Sequence, residues 1–138
     1  DERIRRHIAD RAGLDFETIE CPRRILSCLD TADRNGVFLL DSVTALLQNE
    51  IFPPEKTSAL DLPAAERCAR ELLEFVRSVR SVVLVSDYIF SDAGEYDPMT
   101  EQYRRALAGI DRMLARECDT VVELAAGRRI VHKGVLPF

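Results

Sequence analysis

Two apolar runs of strand length, each ending in a small polar pair, constrain this chain more than any other feature. The first, Val37-Phe38-Leu39-Leu40, ends in Asp41-Ser42; the second, Val82-Val83-Leu84-Val85 after Ser81, ends in Ser86-Asp87. A continuous aliphatic and β-branched run suits a strand covered on both faces, as in a parallel sheet. Helical patterns surround both runs. Val43, Leu46 and Leu47 follow the first, Cys68, Leu72, Leu73, Val76 and Val79 precede the second, and Tyr103, Leu107, Ile110 and Leu114 come after it. Each set repeats at the three- and four-residue spacing of one buried helix face. Residues 120–124 form a third apolar run. Gly127-Arg128 then turns into 129–132, which predicts an antiparallel hairpin at the end of the chain. Strand–helix alternation of this kind predicts an α/β domain, a mostly parallel sheet holding 37–40, 82–85 and 120–124 with helices on both faces.

Local signals set the remaining boundaries. Residues 2–11 are rich in helix formers and Gly13 is a stop; 16–20, reading FETIE, alternate as a half-buried strand does. Pro22 opens a helix carrying Leu26 and Leu29, Asn35-Gly36 marks a turn, and Pro53-Pro54 ends the helix after the first strand. Residues 55–61 read as a polar loop, and a long helix runs over 63–80. Asp97-Pro98 supplies the cap and first position of a helix reaching Glu117.

A chain of 138 residues suits one domain, 1–138, with a genuine core. At 46% hydrophobic and 31% charged its composition is that of a folded, soluble protein. No apolar run approaches a membrane span and no signal-peptide pattern opens the sequence, so the expected location is cytoplasmic. The net charge of −5 argues against nucleic acid as a partner. Cys21, Cys28, Cys68 and Cys118 form no CxxC pair and lie far from His7 and His132, which excludes a zinc motif and a disulfide scaffold.

In open α/β sheets ligands bind beyond the carboxyl ends of the strands, and Asp41-Ser42 and Ser86-Asp87 occupy those positions. Basic residues cluster at Arg3, Arg5, Arg6 and Arg11, at Arg104 and Arg105, and at Arg128, Arg129 and Lys133. Each cluster reads either as a solvated face or as cations for a small phosphorylated ligand.

Four ordered stretches resemble the bifunctional adenosylcobinamide kinase and adenosylcobinamide-phosphate guanylyltransferase family of cobalamin biosynthesis. Residues 3–11, RIRRHIADR, are similar to its R-I-x-x-H-x-x-x-R helix, with Phe16, Thr18 and Glu20 where the family has W-x-T-x-E. Residues 38–44, FLLDSVT, are similar to L-[VIL]-[DE]-C-[LI]-T, with Asn49 on an Asn a few residues later. Residues 82–87, VVLVSD, are similar to V-V-L-V-[ST]-N. Tyr103-Arg104-Arg105 and Ala108-Gly109-Ile110-Asp111 are similar to F-R-D and the G-x-x-N-Q helix, and Cys118-Asp119-Thr120-Val121 stands where the family has A-D-E-V. Departures are as definite. The family's Gly-rich G-G-x-R-S-G-K-S loop and its leading strand do not occur, its N-E-V-G reads Asp87-Tyr88-Ile89-Phe90, N-Q reads Asp111-Arg112, and the Pro after the first helix is Ala12.

The resemblance implies a P-loop NTPase-like, RecA-like nucleotide-binding domain, here expected to lack its N-terminal strand and P-loop. It implies an enzyme that phosphorylates adenosylcobinamide and then transfers GMP from GTP through a histidine. His7 would be that nucleophile, with a surface histidine on a basic helix as the rival reading. Asp41 would hold Mg2+, or serve as a helix cap, or both. Arg11, Glu20, Arg104 and Asp87 would contact nucleotide or phosphate, against simple salt bridging for the arginines. Asp87 is the weakest of these because a carboxylate repels phosphate. GTP or ATP and a corrinoid would be the substrates, and the assembly a homo-oligomer, by resemblance a trimer. The alternative is a catalytically degenerate nucleotide-binding or regulatory relative, and a second is an unrelated doubly wound domain. Tyr103, Leu107, Ile110 and Leu114 are read as core, and His132 as structural or exposed.

Overall fold

The computed structural model describes residues 13, 15–52, 60–89 and 94–136. Their order is a 3-10 helix Ile25–Asp30, strand β1 Val37–Asp41, helix α1 Val43–Ile51, helix α2 Leu62–Ser78, strand β2 Ser81–Val85, helix α3 Pro98–Glu117, and strands β3 Val121–Ala125 and β4 Arg128–Lys133. The helix expected over 2–11 and most of the loop expected over 55–61 lie outside the described residues.

Each α-helix begins where a side-chain oxygen satisfies its first amides. Ser42 Oγ accepts from the Ala45 N–H at 3.1 Å, and Asp61 accepts from Ala64 at 3.1 Å. Asp97 accepts from Met99 and Thr100, at 3.0 and 3.1 Å. Pro63 and Pro98 sit in the first turns of α2 and α3, where a missing N–H costs nothing. At the other end of α3, Lys133 donates to the carbonyls of Ala115 and Arg116, a cation on the negative end of the helix dipole. Lys133 therefore anchors the hairpin to α3.

β1 and β2 pair in parallel, with Asp41 opposite Val85, so both strands deliver their polar pairs at one level. Phe38, Leu40, Val82 and Leu84 point into the core against α1 and α2, and Phe38 meets Phe75 edge-on at 5.4 Å. Val43, Leu47, Ile51, Leu72, Phe75 and Leu107 are essentially sealed from solvent. Burying each contributes about 1.5–3 kcal/mol. Burial pushes the Cys68 thiol up to about 12, with the carboxylates of Glu50 and Glu71 acting in the same direction, so it packs as a small apolar side chain. All four cysteines are free; Cys28 is buried, whereas Cys118 is only partly covered at the end of α3.

Several expectations are corrected. The parallel part of the fold is the β1–β2 pair; β3 pairs antiparallel with β4, as the hairpin reading required, and does not join that pair among the described residues. A two-residue turn at Ala126 and Gly127, both at positive φ, closes the hairpin so tightly that local pairing prevails over a crossover. Among the described residues the helices cover one face of the parallel pair, where α1, α2 and α3 pack on one another as a layer; Val37, Leu39, Val83 and Val85 lie exposed on the other face. Residues 16–20 form no strand and are exposed. A sequence alternation becomes a strand only where an edge is available to pair with it.

The helix expected after Pro22 is the shorter Ile25–Asp30, because tertiary contacts hold Arg24 in a left-handed conformation, φ 53. Its N–H donates to Glu50 Oε1 at 2.6 Å and its guanidinium meets Glu71 at 3.0 Å. Arg67 completes the cluster by donating to Glu50 Oε2 at 2.7 Å. The burial pattern predicts that Phe75→Ala lowers unfolding free energy by about 3–5 kcal/mol. Leu124→Ala, at a side chain 76% exposed, changes it by less than about 0.5 kcal/mol. Urea titration of the two variants checks both figures.

Candidate functional site

The parallel register brings Asp41-Ser42 and Ser86-Asp87 together at the carboxyl end of the pair, as the sequence reading expected of a ligand site. Asp41 is exposed at the last position of β1. It is not the helix cap; Ser42 takes that role. Immediately after the cap, Thr44 reaches across to β2. Its Oγ1 accepts the N–H of Asp87 at 2.8 Å, and its carbonyl accepts the hydroxyl of Tyr103 at 3.2 Å.

Tyr103 is therefore more than the core residue its spacing suggested. Half-buried on α3 with its ring 6.0 Å from that of Phe52, it has its hydroxyl raised above the ordinary tyrosine value, first by burial and then by the charges of Asp87 and Asp111. The hydroxyl stays protonated at neutral pH and remains a donor. Asp111 lies two turns further along the same helix face. Burial raises its carboxyl above the usual aspartate value, a hydrogen bond with Ser86 works against that, and the Asp87 charge adds to it. Ser86 stood at an expected strand end, but Thr44 and Asp111 were not among the candidate site residues. Their hydroxyl and carboxylate were visible, but nothing in a linear pattern aligns position 44 with 87 and 103.

Arg104 is buried on α3, and its guanidinium is committed to the protein. Nε donates to the Ile89 carbonyl at 3.1 Å, Nη1 meets Glu101 at 3.2 Å, and the group sits 4.3 Å over the Tyr96 ring. It braces the segment that follows β2, whereas Arg105 is exposed and pairs with Glu101 one turn earlier. Glu20 is exposed in the irregular stretch before the 3-10 helix, and no contact joins it to the strand ends among the described residues. His7 and Arg11 lie outside the described residues. On the hairpin, His132 is exposed and bonds Glu123 at 2.8 Å. A shallow apolar groove between α2 and α3, lined by Ala65, Ala69, Ala106 and Gly109, is separate from this polar cluster.

The strand ends present hydroxyl and carboxylate oxygens, the hard donors that suit magnesium. No group of three acidic, histidine or cysteine side chains converges to form a protein-only metal cage among the described residues. Magnesium bound through one carboxylate, with water and phosphate completing its shell, needs no such cage. Asp41 fits that more modest role.

An α/β domain with its polar residues gathered at the carboxyl ends of parallel strands belongs to the broad class whose ligands bind at that edge. The chain is a member of the cobinamide kinase / cobinamide phosphate guanyltransferase family, whose sequence model matches residues 1–131. No curated protein matches it. No helix among the described residues is long and apolar enough to cross a membrane.

Asp111 sets a pH test for this region. An acid whose folded pKa is raised costs stability when ionised; that cost is complete above the folded value and absent below the unfolded one. Asp111→Asn, which retains a partner for Ser86, should raise the melting temperature at about pH 7. The gain should vanish as pH falls to about 4, the ordinary aspartate value. Thermal melts of both proteins across that range check the sign.

Proposed function

We propose that this chain acts in cobalamin nucleotide-loop assembly. It phosphorylates adenosylcobinamide with a nucleoside triphosphate and transfers GMP from GTP to the resulting phosphate. The observation that carries the reading is the family match over residues 1–131, and the polar cluster at the carboxyl ends of β1 and β2 supports it. On this reading the domain, residues 1–138, has the RecA-like arrangement of P-loop nucleotide-binding proteins. It works as a cytoplasmic homo-oligomer, by resemblance a trimer, with a corrinoid and GTP or ATP as its small-molecule partners.

The guanylyl step is assigned to His7. An imidazole nitrogen attacks the α-phosphorus of GTP, the bond to the bridging oxygen breaks, and pyrophosphate leaves. The phosphate of adenosylcobinamide phosphate then attacks the same phosphorus and the P–N bond breaks. Imidazole suits both halves because it is a neutral nucleophile near pH 7 and a good leaving group. Arg3 and Arg11 are each four residues from His7 and, on a helix, share its face, where their guanidinium forks neutralise phosphate oxygens. Asp41 is the residue that would hold magnesium, which neutralises phosphate charge when bound. Arg11, Glu20, Arg104 and Asp87 are assigned to the nucleotide side of the site. For Arg104 the role is indirect, through its bond to Ile89.

Two observations favour the alternative of a nucleotide-binding relative that has lost catalysis. Arg104 is committed to Ile89, Glu101 and Tyr96, and acidic Asp87 and Asp111 stand where the resemblance has amides.

Incubating the protein with magnesium and GTP labelled at the α-phosphate separates the readings. The transferase reading expects label on the protein that is lost in acid and retained in base, as a phosphoramidate behaves, and His7→Ala should abolish it without changing the fold. Label persisting in a folded His7→Ala protein places the nucleophile elsewhere. An unmutated protein that binds GTP but takes no label and phosphorylates no corrinoid is the degenerate relative.

A further inference from the structure

The segment leaving β2 is held at two points by residues from other elements. Thr44 Oγ1, in the first turn of α1, accepts the Asp87 N–H at 2.8 Å. Two residues on, the Ile89 carbonyl accepts Arg104 Nε at 3.1 Å. Thr44 is itself held from behind, since its backbone carbonyl takes the Tyr103 hydroxyl at 3.2 Å. Tyr103 and Arg104 are consecutive on α3, so one turn of that helix secures both the clasp and the strand exit beyond it. Asp87 and Tyr88 are exposed, and an exposed amide whose only requirement was a partner would find water. The bond across 43 residues of sequence therefore fixes a position.

We infer that Thr44 is a positioning residue that clasps the exits of the two parallel strands together. It sets where Asp87 stands relative to Asp41, and Tyr103 fixes the clasp to α3. The role is specific to a hydroxyl. Valine has the shape of threonine and would keep the packing of α1, but it offers the Asp87 amide nothing. Serine keeps the acceptor. Tyr103→Phe keeps the ring against Phe52 and removes the donor to the Thr44 carbonyl.

Amide hydrogen exchange on the complete chain reads the clasp directly, without any assumption about activity. In the unmutated protein the Asp87 amide should exchange slowly for an exposed position. Thr44→Val should speed it about fivefold or more, the loss of one hydrogen bond, Thr44→Ser should restore it, and Tyr103→Phe should give a smaller acceleration at the same amide. Equal exchange at Asp87 in the unmutated and Thr44→Val proteins overturns the inference.

Its functional half rests on the transferase reading above and is tested by steady-state transfer with magnesium–GTP. Thr44→Val should lower kcat about fivefold or more with KM little changed, because a displaced strand exit misaligns the reacting groups without removing a ligand contact, and Thr44→Ser should recover it. Unaltered kcat in Thr44→Val despite faster exchange overturns the positioning role. A protein that transfers nothing but keeps a Thr44-dependent slow Asp87 amide retires the transferase reading and leaves the clasp established.

Discussion

Burial of helix α1 is the constraint on which the rest of the structure depends. It is only nine residues long, too short to be stable alone. Val43, Leu47 and Ile51 on its inner face are nevertheless removed completely from solvent, and Leu46 and Glu50 nearly so. The helix touches α2, α3 and β2, so it is held by packing rather than by propensity. Because its axis is fixed from three sides, its first turn is fixed as well, and that turn carries Ser42 and Thr44. The polar cluster at the strand ends thus inherits its geometry from the apolar contacts beneath it.

Glu50 carries the same constraint in ionic form. A buried carboxylate is costly unless every lone pair is used, and here the backbone N–H of Arg24 and the guanidinium of Arg67 take one oxygen each. Removing either partner would strand a charge inside the α1–α2 contact. The arrangement explains why the chain before Ile25 follows an irregular course. Arg24 is drawn onto Glu50 and Glu71, and its left-handed backbone is incompatible with a helix starting at Pro22.

Arg104 shows how composition misleads about charge. Its neighbours in sequence suggested a basic patch facing solvent or phosphate. On the folded chain Arg104 is buried beneath Tyr96 and braces the β2 exit, while Arg105 alone stays on the surface. The helical period separates the two by about 100°, enough to send consecutive arginines into different environments. Lys133 likewise belonged to a cluster read as a solvated face or as cations for a phosphorylated ligand, and instead closes the end of α3.

The sequence by itself determined the elements whose signals are local. The two apolar strands, the three helices, the Asp97 cap and the closing hairpin follow from side-chain period, a capping carboxylate and the turn signal at Gly127-Arg128. It also located the candidate site in outline, since polar residues ending apolar strands mark the edge where ligands bind. Tertiary structure alone decided the rest. It determined that, among the described residues, β3 stays apart from the parallel pair, 16–20 find no partner strand, and the helices gather on one face of that pair. It brought Thr44 to Asp87 and Tyr103. Such contacts join residues 43 and 59 positions apart, and no local period encodes them; they exist only because the buried face of α1 leaves its first turn one place to go.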